Sequence, residues 1–212
     1  MAIATVTSDS RVLLPRVSWE TYERLVEDLS NQSAPRMTFD RGTLEIKSPT
    51  AEHEDLNRLL SSLVEAACEV LGIDYRNLGS TTFKRDDLFR GFEPDSCFYI
   101  QNIDRIRGKK RIALPADPPP DLVIEVDITH PSLDKLPLYA AIGVGEVWQH
   151  NGTTLTIYCL EGDHYTAVNE STAFPQLEPS MIASLIDASQ SASRAEWVRT
   201  VRSVISELIN RP

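Results

Sequence analysis

The sequence predicts an α/β (α+β) fold, a mixed sheet flanked by helices, and three observations lead there. Helical and extended patterns alternate along the chain in the order helix, strands, helix, strands. One segment, Asp121-Leu-Val-Ile-Glu-Val-Asp-Ile128, is apolar enough to sit inside a covered sheet. The 212 residues, 42% hydrophobic and 25% charged, suffice for one domain with a real core and exclude a disordered or disulfide-scaffold chain.

In chain order, residues 1–16 lack periodicity and are expected to form a flexible arm ahead of a domain over 17–187. Residues 18–29 form an amphipathic helix with Ser18 as N-cap and Glu20 in its first turn. The alternating runs 36–40 and 43–47 flank Arg41-Gly42 and read as a hairpin. Ser48-Pro49 opens the next helix, with Pro49 at its first position, and Gly72 ends it. Between them Leu56, Leu59, Leu60, Leu63, Ala67 and Val70 repeat with helical spacing.

Short extended pieces are expected over 73–78, 81–84 and 95–100, followed by a basic loop and the rigid Pro118-Pro-Pro120 run. A helix over 133–142 stops at Gly143, and Asn151-Gly152 turns a hairpin whose meander continues over 165–169. A Ser/Ala-rich connection then leads, within the segment 188–212, to a last amphipathic helix carrying Trp197, Val201, Val204, Ile205 and Leu208. Its apolar stripe can pack back on the domain or join two subunits.

The charge sum is −10, which opposes broad, non-specific attraction to phosphate backbones. No apolar run approaches the ~20 residues that span a bilayer, so no membrane association is expected. The start of the chain has neither a basic segment nor a long apolar one, and Cys68, Cys97 and Cys159 form no paired motif. The expectation is a cytoplasmic protein with reduced thiols. His130, His150 and His164 have no ligand spacing with any cysteine, so no zinc site is expected.

Side chains alternate across a strand, so Asp121, Val123, Glu125 and Asp127 share one face of the apolar segment. A carboxylate enclosed without a partner costs several kcal/mol or takes up a proton. Glu125 and Asp127 therefore call for a metal ion or a lysine, unless the segment is an edge strand with a solvated acidic face. A second acid, Asp95, starts a strand after Pro94, at a separation that suits neighbouring strands.

Four pieces in order, Ser48-Pro-Thr-Ala-Glu-His53, Glu93-Pro-Asp95, Pro120-Asp-Leu-Val-Ile-Glu125-Val and Lys135-Leu-Pro-Leu-Tyr139 running into Gly143-Val-Gly-Glu-Val-Trp148, resemble the Uma-type putative restriction endonuclease family. This bacterial group has the restriction-endonuclease-like PD-(D/E)xK fold. The resemblance implies a DNA endonuclease in which Asp95 and Glu125 hold Mg²⁺ or Mn²⁺ and a metal-activated water attacks phosphorus. The position two after Glu125 is Asp127 rather than lysine. The resemblance therefore implies Lys135 as the displaced ammonium; the alternative, from the face it shares with Glu125, is Asp127 as a third metal carboxylate. The resemblance also places His53 near the acids, to contact a phosphate or position Glu125, with Glu54 a weaker candidate, and implies a homodimer.

Glu45-Ile-Lys47 also spells E-x-K, but it precedes Asp95 and is expected to be a cross-strand ion pair on a wet face. The loop with Arg105, Arg107, Lys109, Lys110 and Arg111 either grips a nucleic-acid backbone or is simply solvated. The net charge and the missing lysine leave a second reading, a catalytically inactive scaffold used for interaction or oligomerisation. A carboxylate-pair glycosidase is disfavoured by the lack of aromatic residues near either acid.

Overall fold

In the computed structural model the chain is described over residues 9–29, 35–128 and 133–210. It begins with β1 (Ser10–Pro15), α1 (Trp19–Leu29), β2 (Arg36–Asp40), β3 (Thr43–Ser48) and α2 (Ala51–Leu71). There follow β4 (Arg76–Asn77), β5 (Phe83–Arg85), β6 (Arg90–Phe92), β7 (Ser96–Tyr99) and the single-turn α3 (Ile103–Ile106). The rest is β8 (Leu122–Val126), α4 (Leu136–Ile142), β9 (Glu146–His150), β10 (Leu155–Glu161), β11 (His164–Val168), α5 (Pro179–Ala188) and α6 (Arg194–Ile209).

The expected mixed α/β architecture is present, with its strands divided between two sheets. One is antiparallel, in the order β1-β3-β2-β6-β5; the other runs β11-β10-β9-β8-β7-β4 and contains a single parallel pair, β8 with β9. That pair is joined through α4, the crossover a parallel connection requires. The β8 strand lies between β7 and β9 and is buried at every residue, so the solvated edge-strand arrangement does not occur.

Alternation on β8 sorts its side chains into two cores. Leu122, Ile124 and Val126 face a cluster built from α2, α5 and α6, with Leu60, Leu63, Ile182, Trp197 and Val201. Val123 faces a second cluster with Cys97, Tyr99, Leu138, Tyr139 and Val147. Glu125, two residues on, lies on this second side, beneath α4. The stripe of α6 is thus used within the chain: Trp197 Nε1 donates to the Leu185 carbonyl at 2.6 Å, and Arg202 reaches Glu69 of α2 at 2.5 Å.

Several local expectations are refined. Ser18 caps α1 by accepting from the Thr21 amide at 3.2 Å. Thr50, not Ser48, caps α2 through the His53 amide, so Pro49 precedes the cap instead of occupying the first helical position. Gly72 closes that helix at φ 67°, as a left-handed C-cap requires. Arg41 and Gly42 both have positive φ, 46° and 97°, the signature of a tight hairpin turn between β2 and β3.

The expected arm is the main correction. Residues 1–8 lie outside the described residues, but from Ser10 the segment is a strand, paired along β3 from Ser10↔Ser48 to Pro15↔Thr43. As an edge strand it exposes Val12, Leu13 and Leu14, which hid the period-two pattern from the sequence. Strand β6, the single-turn α3 and helix α5 are additional to the expected elements. The thiols of Cys68 and Cys97 are free and buried, and burial pushes both up to about 12. Among the described residues no helix is long and apolar enough to cross a membrane.

Candidate active site

β7 and β8 run antiparallel with Ser96 opposite Ile124, so one further step of the register sets Asp95 opposite Glu125. Both residues are buried, at 2% exposure each. Glu125 is held by α4: Lys135 Nζ donates to Oε2 at 2.7 Å and the Tyr139 hydroxyl donates to Oε1. Lys135 is the helix N-cap residue and Tyr139 lies one turn further, so one short helix delivers both groups. The displaced lysine implied by the resemblance therefore meets Glu125. Tyr139 was part of the quoted motif but carried no assigned role.

Asp95 is held by β8, by α2 and by two cations from the other sheet. Its Oδ2 accepts from the Val126 amide at 2.7 Å and stands 3.3 Å from Lys47 Nζ and 3.0 Å from His53 Nε2; Oδ1 is bound by Arg36. His53 is fully buried, and its Nδ1 faces Asp9 Oδ2 at 3.0 Å. It therefore stands on Asp95, not Glu125, and its burial keeps it from meeting a phosphate in this arrangement. Glu54 pairs with Arg36 at the rim.

The Glu45-x-Lys47 expectation is overturned. Both residues are buried, at 1% and 2% exposure, and Lys47 donates to the Val126 carbonyl at 3.0 Å as well as to Asp95. The sequence shows the E-x-K; it does not show that the hairpin's face closes over the end of β8.

Cross-strand register explains the charge pattern. Arg11 pairs with Lys47 and Lys47 with Arg36, so three cations stand in one row across β1, β3 and β2. Like charges side by side repel; here each faces an acid. Arg11 donates to Asp127 Oδ1 at 2.6 Å, and Asp127 Oδ2 accepts from Gln149 at 3.1 Å. Nothing in residues 9–11 signalled this, because the segment carries no motif.

The electrostatics follow from burial set against these partners. Burial pushes Asp95 upward, but Lys47, His53 and Arg36 hold it well below the ordinary carboxylate range. Burial likewise opposes ionisation of Asp127, and Lys135, Lys47 and Arg11 outweigh it. Glu125 goes the other way: burial, reinforced by Asp95, raises it despite Lys135. Lys135 itself is raised because Glu125, Asp95 and Asp127 outweigh its desolvation. Two neighbouring carboxylates with opposite shifts are a pattern that acid–base sites use.

A cavity of about 430 Å³ opens beside this cluster, lined in part by Glu125, Asp127, Asp134, Lys135, Tyr139 and Gln149. Asp95, Glu125 and Asp127, with the Val126 carbonyl, are hard oxygen donors of the type Mg²⁺ and Mn²⁺ take. Among the described residues no three His, Cys, Asp or Glu side chains converge as a ready metal cluster, and the chain's own cations neutralise the acids. The donor types fit a divalent ion; a bound ion would have to share or displace these cations.

The basic loop is not brought to this end. Residues 100–121 leave β7 and enter β8 at the Phe98↔Leu122 end of the pair, three residues and ~10 Å along the strand from Glu125. Arg107 there bonds Asp74 and Asp104 at 2.6 and 2.9 Å, and Lys109 bonds Asp117, while Arg105, Lys110 and Arg111 lie exposed beside them.

A sequence profile of the family described as Uma2, Putative restriction endonuclease, matches residues 19–188. Among solved structures, one described as a putative nuclease belonging to DUF820 from Anabaena variabilis superposes with a TM-score of 0.56 at 14% identity, covering 80% of this chain and 99% of that chain. At that identity the likeness speaks for the fold. No curated protein matches.

Proposed function

The chain belongs to the Uma2 family of putative restriction endonucleases, and from that premise we propose that it is a divalent-metal-dependent endonuclease hydrolysing DNA phosphodiester bonds at the Glu125 cavity. The observation that carries the reading is the pairing of Asp95 and Glu125 across β7 and β8, with Lys135 on Glu125 and a cavity beside them. Asp95, Glu125 and Asp127 would hold Mg²⁺ or Mn²⁺, which supplies polarisation of a phosphate oxygen and a lowered pKa for bound water.

The chain's own side chains do the rest. The Lys135 ammonium lies at the cavity wall and offsets charge that develops on a phosphate. Tyr139 fixes the orientation of the Glu125 carboxylate. His53 and Arg36 position Asp95 from outside the cavity. One cavity cuts one strand per encounter, so the form that cleaves both strands at a locus is a homodimer, to be read by light scattering.

The test is cleavage of single- and double-stranded DNA with added Mg²⁺ or Mn²⁺. Wild type should cut and Asp95→Ala should not; equal persistence of substrate with both would remove the catalytic reading. A second reading, an inactive scaffold used for interaction, is favoured by the way the three acids already have cationic partners within the chain. Under it, no preparation cuts and no divalent ion binds.

A further inference from the structure

Among the described residues, Lys47 is a cation of the site that touches both a carboxylate and a backbone carbonyl. Its Nζ stands 3.3 Å from Asp95 Oδ2 and 3.0 Å from the Val126 carbonyl, with 3% of the side chain exposed. These two oxygens, a carboxylate at the head of β7 and a carbonyl at the end of β8, are the hard donors a small cation seeks. An ammonium is compact and strongly hydrated, and burying one is costly unless such oxygens replace its water. Arg36 and Arg11 sit in the same cross-strand row, but neither is bonded to the Val126 carbonyl.

We infer that Lys47 is a resident cation: its ammonium occupies the seat between Asp95 and the Val126 carbonyl, and a divalent ion enters only by displacing it. Lys47 is therefore a positioning residue that sets metal affinity from the neighbouring sheet. The inference rests on the metal-dependent reading above and deepens it. An attached ammonium competes at high effective concentration with any ion from solution, so wild type should bind Mn²⁺ weakly. Removing the ammonium vacates the seat: the Val126 carbonyl loses its side-chain partner, and Asp95 Oδ2 keeps the Val126 amide and His53 but has one fewer positive neighbour. Swinging aside on its four-carbon stem, the same group remains within the cluster of Asp127 and Glu125, which both feel its charge.

The experiment is calorimetric titration of Mn²⁺ alone into the full chain, as wild type, Lys47→Met, Lys47→Gln, Arg36→Met and Asp95→Asn, each checked for folding by circular dichroism. Lys47→Met and Lys47→Gln should bind Mn²⁺ at least about ten-fold more tightly than wild type, since one buried unit charge at this range is worth that much or more. The melting temperature of either variant should also rise with Mn²⁺ more than that of wild type. Arg36→Met also removes a buried charge from Asp95 but leaves the ammonium seated between Asp95 and the Val126 carbonyl, so any gain should be clearly smaller than that of the Lys47 variants.

Equal or weaker binding by both Lys47 variants overturns the inference, as does a gain in Arg36→Met equal to theirs. If wild type binds, Asp95→Asn does not, and the Lys47 variants match wild type, the inference alone fails. If no preparation binds Mn²⁺, it falls together with the metal-dependent reading.

Discussion

Lys135 and Glu125, ten residues apart in the chain, meet at 2.7 Å with side chains 9% and 3% exposed, and the contact closes the only parallel connection in the described sheets. Both partners are buried, so removing one strands the other. Lys135→Met should lose DNA cleavage and cost about 3–5 kcal/mol in urea denaturation, less to the extent that Glu125 takes up a proton. Tyr139→Phe keeps the edge contact with Phe92 at 4.9 Å and loses only a donor to Glu125. It should cost about 1–3 kcal/mol.

Arg11 ties the first strand to Asp127. Arg11→Ala should cost about 2–3 kcal/mol, because a charged hydrogen bond is lost between groups nearly removed from solvent. Limited proteolysis should then cut earliest within residues 9–16, releasing the strand before the domain unfolds.

Acid should act chiefly through Asp95. Its folded pKa lies well below its unfolded value of about 3.9, so its ionisation contributes stability that is present above that value and lost as pH falls below it. Glu125 has the opposite sign: raised by burial, it contributes stability below about pH 4.3 that is lost as pH rises through its folded value. Melting temperatures measured from roughly pH 3 to 7 should show Asp95→Asn with a flattened acid limb and a lower plateau.

Not every buried acid here lies at the cavity. Glu146, 2% exposed, accepts from Ser171 Oγ at 2.6 Å and from the amides of Thr172 and Ala173 at 2.8 and 3.1 Å, and it also takes the Trp148 indole at 2.5 Å. It pins the segment before α5 to β9. Glu146→Ala should lower stability by about 3 kcal/mol while leaving Mn²⁺ affinity unchanged, which separates a structural carboxylate from the site acids.

The first helix meets the antiparallel sheet without a gap. A Cβ on Gly91 would fall 2.7 Å from the Tyr22 ring, so Gly91→Ala should cost more than about 2 kcal/mol by overpacking. The Tyr22 hydroxyl is buried without a hydrogen-bond partner, and Tyr22→Phe should be neutral or gain up to about 1 kcal/mol. Chemical denaturation measures both.

The half of the site that lies between β8 and α4 was legible because it is local. An acid on an apolar strand and a lysine opening the next helix fall within ten residues, and period-two alternation assigns the acid its face. The other half was not, because it depends on how two sheets meet. Lys47 was visible as part of an E-x-K, yet only the packing of the hairpin against the end of β8 turns its face from solvent to core. Arg11 and Asp9 had no pattern at all: an edge strand with Val12, Leu13 and Leu14 exposed in succession shows no alternation to read.

The row formed by Arg11, Lys47 and Arg36 belongs to one sheet, and the acids it meets flank strands of the other, apart from Glu54 on α2 and Asp9 just ahead of β1. A change of sign on either bank leaves an unmatched charge that only a reciprocal change across the gap repairs. Evolution along this lineage should therefore move these positions as couples, and a library randomising residues 11, 36 and 47 against 95 and 127 should yield its folded survivors as matched pairs.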